Sequence, residues 1–312
     1  MVTINGFDVS ELSDSYIVDW LNKTNAGNKL RQKTAVIWLA IFRILDEVGP
    51  PMTVRQMYYA LVSKGVYPKT EKGYDSVCYH LLQMRRRGII PYNFLADNTR
   101  WMRKPATYDS VQEFLEIGQQ AYRRSLWQNQ NAYVEIWCEK DALAGVLYEI
   151  TRIWDVPLMV TRGFPSETFV YNAAETLKSQ TKPVFLYYFG DHDPSGKEIP
   201  DNTRQKLLDF GADFEFKQMA ITPEQIQDYR LPTRPTKKTD SRAKNWIGGS
   251  VELDALPVTV LRQLVRDSIE QHIDLVALQE NERIERLERD TLVEFSKNFR
   301  LAQNSIRKEV KK

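Results

Sequence analysis

The sequence has few of the residues that build disulfide frameworks or zinc sites. It contains two cysteines and three scattered histidines in 312 residues. This scarcity argues against a disulfide-rich domain and against a zinc site built from Cys or His. It favours a reducing cytoplasm as the location. A Gly-rich nucleotide-binding motif is also lacking.

Long hydrophobic runs are lacking as well. No apolar stretch approaches the roughly 20 residues that span a bilayer, so we expect no membrane partner. The first 20 residues carry Asp8, Glu11, Asp14 and Asp19, and such acidity does not suit a signal peptide. With 42% hydrophobic and 27% charged residues, the composition indicates a globular protein, and the length indicates two domains.

The charge is small overall but unevenly distributed. The net charge is +2, yet residues 51–104 contain ten Lys and Arg against three Asp and Glu. That segment is therefore +7 and the remainder is −5. A local basic patch indicates a polyanionic partner, with a merely solvated basic face as the alternative.

The N-terminal part of the chain reads as helical. We expect a helical segment over 1–49, followed by a compact unit over 50–105. In that unit Thr53 can cap a helix from Val54 to Ser63, and a second helix is predicted from Tyr74 to Arg87. Extended segments with a turn follow. Helix, turn, helix and strand-like wing is the order of a winged helix, whose second helix can enter a DNA major groove.

After a connecting helix predicted over 106–130, strand-like and helical segments alternate. Over 131–275, the strand-like runs "AYVEIWC", "PLMVT" and "PVFLYYFG" are each followed by a helical pattern. Three such units in series predict a parallel sheet covered by helices. The loops that follow the carboxyl ends of its strands are the expected binding site. Residues 276–312 are predicted to form a charged helical tail.

Two of these strands end in acids. Glu139 follows the first strand, while Asp191 and Asp193 follow the third. Because strand ends converge on one edge of a parallel sheet, the three carboxylates should repel one another unless a cation neutralises them. Oxygen ligands with few fixed positions suit Mg²⁺. The pattern therefore predicts a magnesium site, and Gly190 allows the close backbone approach.

Other interpretations of the same loop stay open. Asp193 or Ser195 can cap the next helix, and Asp191 can be a solvated loop residue. His192 is expected to point away from any ion. Lys140, which follows Glu139, can contact a phosphate or pair with a neighbouring acid.

The motifs in this region resemble those of a known family. "CEKDAL" followed by "GDHDPSGKEI" is similar to the Toprim signature, a Glu at one strand end and a DxD at a later one. "TRGFP", the DPxG ending and "VELDAL" resemble the A subunit of topoisomerase VI and the related meiotic double-strand-break proteins. The resemblance covers roughly residues 50–275. It implies an α/β protein with an N-terminal helical winged-helix domain followed by a Toprim domain, a Rossmann-like parallel sheet flanked by helices.

The family carries its catalytic tyrosine in a pattern similar to Arg-x-x-Tyr-Tyr, which Arg55, Tyr58 and Tyr59 match. At about 100° per residue, Tyr58 falls on the apolar stripe of its helix and should be core. Tyr59 falls off the stripe and is expected to face outward, one turn from Arg55. The resemblance implies that Tyr59 is the nucleophile, with Arg55 binding the phosphate and lowering the pKa of the phenol. The alternative is an exposed tyrosine stacked on Arg55.

Three consecutive arginines end the second predicted helix, namely Arg85, Arg86 and Arg87. Cations suit a helix C-terminus, but three exceed what capping needs. We therefore expect them to contact DNA phosphates, and Lys140 is a further candidate for nucleic-acid binding.

The resemblance implies an enzyme of the DNA topoisomerase class that acts on double-stranded DNA. Tyr59 would form a 5′-phosphotyrosyl bond, Mg²⁺ (or Mn²⁺) would be held by Glu139, Asp191 and Asp193, and Glu139 could serve as general acid or base. A homodimer is implied, in which the tyrosine of one subunit works with the metal of the other. Any ATPase subunit would be a separate protein.

Two rival functions stay open. The first is a Toprim nuclease that hydrolyses DNA with metal-activated water, in which Tyr59 is structural. The second is a non-catalytic winged-helix regulator with a degenerate metal site.

Overall fold

The computed structural model describes residues 3–4, 7–8, 12–24, 30–96, 105–235, 246 and 248–309, and within these ranges the side chains from residue 12 to residue 302. The chain divides into two compact units. The first comprises residues 1–100 and 134–269, and the second comprises residues 101–133 and 270–312. All the candidate site residues lie in the first unit.

The N-terminal part of the first unit is mainly helical, as the sequence predicts. A two-residue antiparallel pair, β1 (Thr3–Ile4) and β2 (Phe7–Asp8), precedes four helices. These are α1 (Asp14–Thr24), α2 (Gln32–Val48), α3 (Val54–Ser63) and α4 (Glu71–Arg86). Large apolar side chains of α2, including Trp38 and Phe42, are buried in its core.

The bounds of α3 match the prediction because they are set by local hydrogen bonds. The Thr53 hydroxyl accepts from the Gln56 backbone N–H, and the Gln56 side chain accepts from the Thr53 N–H, which makes a capping box. Gly65 follows the helix at φ +71°. The second helix starts three residues earlier than predicted, because Thr70 caps it by accepting from the Gly73 N–H.

The predicted wing lies partly outside the described residues. Up to Ala96 the chain forms a 3₁₀ turn at Tyr92–Phe94 and a single bridge between Met52 and Leu95. Residues 97–104 are not described. The winged helix therefore stays a prediction.

The second half of the first unit contains a four-stranded sheet flanked by helices. Its strands are β3 (Tyr133–Cys138), β4 (Leu158–Val160), β5 (Val184–Phe189) and β6 (Glu215–Ala220), in the order β4-β3-β5-β6. Both β3–β4 and β5–β6 pair in parallel. The two central strands of this order, β3 and β5, carry the ends that precede Glu139 and Asp191. The mixed α/β class is confirmed.

The edge strand β6 was not predicted. Its sequence, "EFKQMA", places the charged residues Glu215 and Lys217 in a strand that lacks a continuous apolar run. Such a strand shows little of the pattern that identifies a buried parallel strand from sequence.

Seven further α-helices follow α4 along the described chain. They are α5 (Val111–Ala121), α6 (Ala144–Thr151), α7 (Glu167–Lys178), α8 (Pro194–Asp209), α9 (Pro223–Asp228), α10 (Val258–Glu270) and α11 (Leu275–Glu309). None of the helices in the described ranges is both long enough and apolar enough to cross a membrane.

The second unit contains α5 and α11. The connecting helix predicted over 106–130 is shorter than expected, since it ends at Ala121 with Tyr122 in extended conformation. The backbone N–H of Arg124 bonds the Glu285 carboxylate and its guanidinium bonds Glu288, so this segment is held by α11 instead of continuing its own helix. Within the charged tail predicted over 276–312, the described residues up to Glu309 belong to α11.

Candidate functional site

The carboxyl edge of the sheet brings Glu139 and Asp191 together. Glu139 follows β3, and its Oε2 accepts a hydrogen bond of 3.1 Å from the backbone N–H of Asp191, two residues after β5. Gly190 makes this approach possible. A Cβ at that position would lie 2.8 Å from Glu139 Oε2 and 2.6 Å from the Tyr188 ring.

Asp193 has the capping role that the sequence left open. It is the N-cap of α8, and its Oδ1 accepts from the Gly196 N–H at 2.6 Å. Gly196 is required in this turn because a Cβ there would collide with the carbonyl oxygen of Asp191. Asp191 is not a freely solvated loop residue, since its side chain is only 13% exposed and its Oδ1 accepts from the Leu253 N–H at 2.7 Å.

Lys140 occupies the place next to Asp191. Its Nζ lies 3.1 Å from Asp191 Oδ1, 3.0 Å from Asp254 Oδ2 and 4.0 Å from Glu252 Oε2. Of the two roles left open, the structure shows pairing with acids. Asp254 is 2% exposed and also accepts from the Thr53 hydroxyl at 3.2 Å, so Lys140 connects the sheet edge to the start of α3.

Within the described residues there is no group of three His, Cys, Asp or Glu side chains placed to hold an ion. Each predicted ligand is engaged by the protein. Glu139 accepts from Asp191, Asp191 from Lys140 and Leu253, and Asp193 from Gly196.

Two carboxylates at the carboxyl edge of the sheet, Glu139 and Asp191, have raised pKa values. Burial, followed by repulsion from Asp191, raises the pKa of Glu139 to about 7. Burial also raises the pKa of Asp191, even though Lys140 opposes the shift. At neutral pH Glu139 is therefore poised between its two protonation states, which suits a general acid or base.

Tyr59 is buried, and the prediction that it faces outward is wrong. It is only 5% exposed. Its hydroxyl donates to Glu252 Oε2 at 3.1 Å and accepts from Arg234 Nη2 at 2.9 Å. The helical period correctly placed Tyr59 off the apolar stripe, but a distant segment covers that second face. Tyr58 is buried as predicted, and its hydroxyl donates to the Thr70 carbonyl.

Glu252 organises the cations around Tyr59. Its Oε2 accepts from Arg55 Nη1 at 2.9 Å, and its Oε1 accepts from Arg234 Nη1 at 2.6 Å. The Nζ of Lys69 lies 5.5 Å from the centre of the Tyr59 ring. We call these five residues, Arg55, Tyr59, Lys69, Arg234 and Glu252, the tyrosine cluster.

The charges of the cluster act on Tyr59 in opposite directions. Burial and the negative charge of Glu252 raise the pKa of the phenol, while Arg234 and Arg55 oppose the shift. Arg55 therefore acts to lower the pKa of the phenol, as expected, but burial and Glu252 outweigh both arginines and the pKa is raised. Burial also acts to raise the pKa of Glu252, but Lys140, Arg55 and Arg234 hold it below its ordinary value.

Two of the three arginines at the end of α4 lie against aromatic rings. Arg85 stacks over Tyr92 at 5.4 Å and Arg87 over Trp38 at 5.5 Å. Arg86 and Arg87 are exposed. Among the described contacts, none joins these arginines to the tyrosine cluster or to the acidic edge.

Four residues of these two sites were missed by sequence reasoning. They are Lys69, Arg234, Glu252 and Asp254. Glu252 and Asp254 belong to "VELDAL", which served only to support the resemblance, and Arg234 lies in a Pro- and Lys-rich stretch with no predicted role. The alternating acids of "VELDAL" were the one available signal.

Tyr59 and the DxD motif line different clefts. A cleft of about 620 Å³ is lined by Tyr59, Gln56 and Asp254, among others. Another, of about 540 Å³, is lined by Asp191, Asp193 and the rings of His192 and Trp246, whose centroids lie 4.9 Å apart. The residues described as lining these two clefts do not overlap.

Comparison with known proteins does not assign the chain to a family. No family model matches the sequence, and no curated protein matches it significantly. The resemblance to Toprim proteins therefore rests on the short motifs and their order.

Proposed function

We propose that the protein cleaves double-stranded DNA by forming a covalent bond between Tyr59 and a backbone phosphate. The resemblance to topoisomerase VI A subunits suggests this reaction. The observation that carries it is the setting of the Tyr59 hydroxyl, which is bonded to a guanidinium on one side and a carboxylate on the other.

This setting suits a phosphoryl-transfer nucleophile. An activated nucleophile has an acid–base partner within hydrogen-bond reach, oriented in turn by a third group. Here Glu252 is the partner, and Arg55 and Arg234 orient it. The side chains of these arginines are 40% and 45% exposed, so they can also bond a phosphate that approaches Tyr59.

Magnesium at Glu139, Asp191 and Asp193 remains a further proposal. The ion would have to replace Lys140 as the partner of Asp191, and we assign no step of the reaction to it. Glu139 is suited to move a proton because its pKa lies near neutrality.

DNA binding by Arg85, Arg86 and Arg87 is also proposed, together with the basic segment 51–104. Such contacts would fix the position of the duplex without reading its sequence. An ATPase partner, as the resemblance suggests, would be a separate protein.

The experiment is incubation with supercoiled plasmid and Mg²⁺ or Mn²⁺, followed by denaturation to trap protein-linked DNA ends. Wild type is expected to give the adduct and Tyr59→Phe to lose it. Tyr171→Phe, at an exposed tyrosine, is the matched control and should behave as wild type. Cleavage by Tyr59→Phe without an adduct would overturn the proposal.

A Toprim nuclease that uses activated water is the second candidate. It is favoured by the separation of the clefts, since Asp191 and Asp193 line a space that Tyr59 does not. In that case Asp193→Asn abolishes cleavage, while Tyr59→Phe preserves it. Asn is as good an N-cap as Asp, so this substitution removes the charge and keeps the start of α8.

We propose a homodimer in which the two clefts come from different subunits. Mixing Tyr59→Phe with Asp193→Asn should then restore cleavage that neither variant has alone. Absence of restoration, with both proteins folded and dimeric, would contradict the shared site.

A further inference from the structure

The half-buried carboxylate of Glu252 has a role that the sequence did not suggest. We propose that Glu252 is a catalytic residue that accepts the hydroxyl proton of Tyr59 as the phenol oxygen attacks the phosphate. This inference rests on the proposed function and adds the proton acceptor to it.

The hydrogen bonds around Tyr59 fix the direction of the proton. Arg234 Nη2 lies 2.9 Å from the phenol oxygen, and a guanidinium can only donate. The single hydroxyl hydrogen therefore cannot point toward Arg234. The hydroxyl hydrogen points instead toward Glu252 Oε2, which lies 3.1 Å from the phenol oxygen.

Glu252 is held ready as an acceptor. Two guanidiniums and, at 4.0 Å, the Lys140 ammonium surround its carboxylate, and its side chain is 19% exposed. A carboxylate among three cations is ionised before the reaction, so at that point it can only accept hydrogen bonds. The arginines fix its position as well as its charge.

Lys69 is the rival proton acceptor, but its geometry is wrong. Its Nζ lies over the face of the Tyr59 ring, 5.5 Å from the centroid. It donates to the carbonyl oxygens of Pro232 and Thr233 at 2.9 and 3.4 Å. Glu252 is therefore the better acceptor.

The step balances without an added reactant. The phenol oxygen forms a bond to phosphorus, the bond from phosphorus to the 3′ oxygen breaks, and the phenol proton passes to Glu252. The 3′ oxygen leaves with a proton taken from solvent. In religation the 3′ hydroxyl attacks phosphorus and releases its proton to solvent. The bond from phosphorus to the phenol oxygen breaks, and Glu252 returns its proton to that oxygen. The hydrogen bond from Arg234 stabilises negative charge on that oxygen in both directions.

The first test follows the rate of adduct formation against pH with supercoiled plasmid and Mg²⁺. Glu252→Gln should be at least about 100-fold slower than wild type at pH 7, in the range of general-base catalysis. The deficit should shrink about tenfold per pH unit as solvent hydroxide replaces the carboxylate. Glu252→Asp should recover part of the rate, and Glu282→Gln, at an exposed glutamate, should match wild type.

The second test does not depend on cleavage. In protein labelled at the tyrosine Cζ carbon, the Tyr59 signal is assigned by its loss in Tyr59→Phe. Its titration should move to lower pH in Glu252→Gln, because a negative charge at hydrogen-bond distance is removed.

The outcomes separate this inference from the proposed function. If the wild-type protein forms no adduct, Tyr59 is not the nucleophile and Glu252 is not its base, so both proposals are overturned. An adduct lost in Tyr59→Phe but formed at the wild-type rate by Glu252→Gln overturns only the role of Glu252. A deficit equal at every pH, or an unchanged Tyr59 titration in Glu252→Gln, also overturns it.

Discussion

The charge of Glu139 should make the stability of this protein depend on pH in a defined way. The substitution Glu139→Gln removes the charge and keeps an oxygen that can accept from the Asp191 N–H. Raising the pKa of Glu139 from 4.5 to about 7 corresponds to about 3 kcal/mol of differential interaction between its two forms. The ionised form is the penalised one, because burial and Asp191 disfavour it.

The sign follows from proton binding. Between pH 4.5 and 7 the folded protein binds the Glu139 proton more strongly than the unfolded chain does. The stabilisation by this proton is fully present below pH 4.5 and is lost as the pH rises through 7. Glu139→Gln has no proton to lose at this position. Its free energy of unfolding should therefore rise relative to that of wild type as the pH increases from 4.5 to 7, and should be about 3 kcal/mol higher at pH 8.

The assay is urea unfolding at 25 °C from pH 4.5 to pH 8 in EDTA, for wild type, Glu139→Gln and the exposed control Glu282→Gln. The control should differ from wild type by the same small amount at every pH. A pH-independent difference for Glu139→Gln, or a wild type that is the more stable at pH 8, would refute the reasoning.

The same proteins test the proposed magnesium site. A cation bound by the carboxylates favours their ionised forms. At pH 8, Mg²⁺ should therefore stabilise wild type more than Glu139→Gln. Equal stabilisation of the two would contradict binding at Glu139.

Two further predictions concern the scaffold of the site. Lys140→Met leaves buried acids uncompensated and should lower the free energy of unfolding in urea by about 3–5 kcal/mol. Lys178→Met, which breaks an exposed ion pair within one helix, should lower it by less than about 1 kcal/mol. Similar losses in the two variants would contradict the buried network. Gly196→Ala forces a Cβ against the Asp191 carbonyl and should cost about 2 kcal/mol or more. Gly118→Ala, in a helix with open space around it, should instead gain about 0.5–1 kcal/mol, and a gain at Gly196 would refute the close approach.

Local features of this fold could be predicted from the sequence. The bounds of α3 follow from Thr53 and from the apolar spacing after it. The strand ends that position Glu139 and Asp191 follow from two apolar runs. These features depend on hydrogen bonds between residues a few positions apart, or on a side-chain period that repeats within one element. Such interactions are visible in a short window of sequence.

The surroundings of Tyr59 were decided by the tertiary structure alone. Its partner Glu252 lies 193 positions away, and Arg234 lies 175 positions away. A helical period shows which face of α3 is apolar, but it does not show which segment covers the opposite face. The sequence therefore determined where Tyr59 sits on its helix. Only the folding back of the distant loop decided that the phenol is buried between a carboxylate and a guanidinium, because ion pairs form between whichever charges the fold brings together.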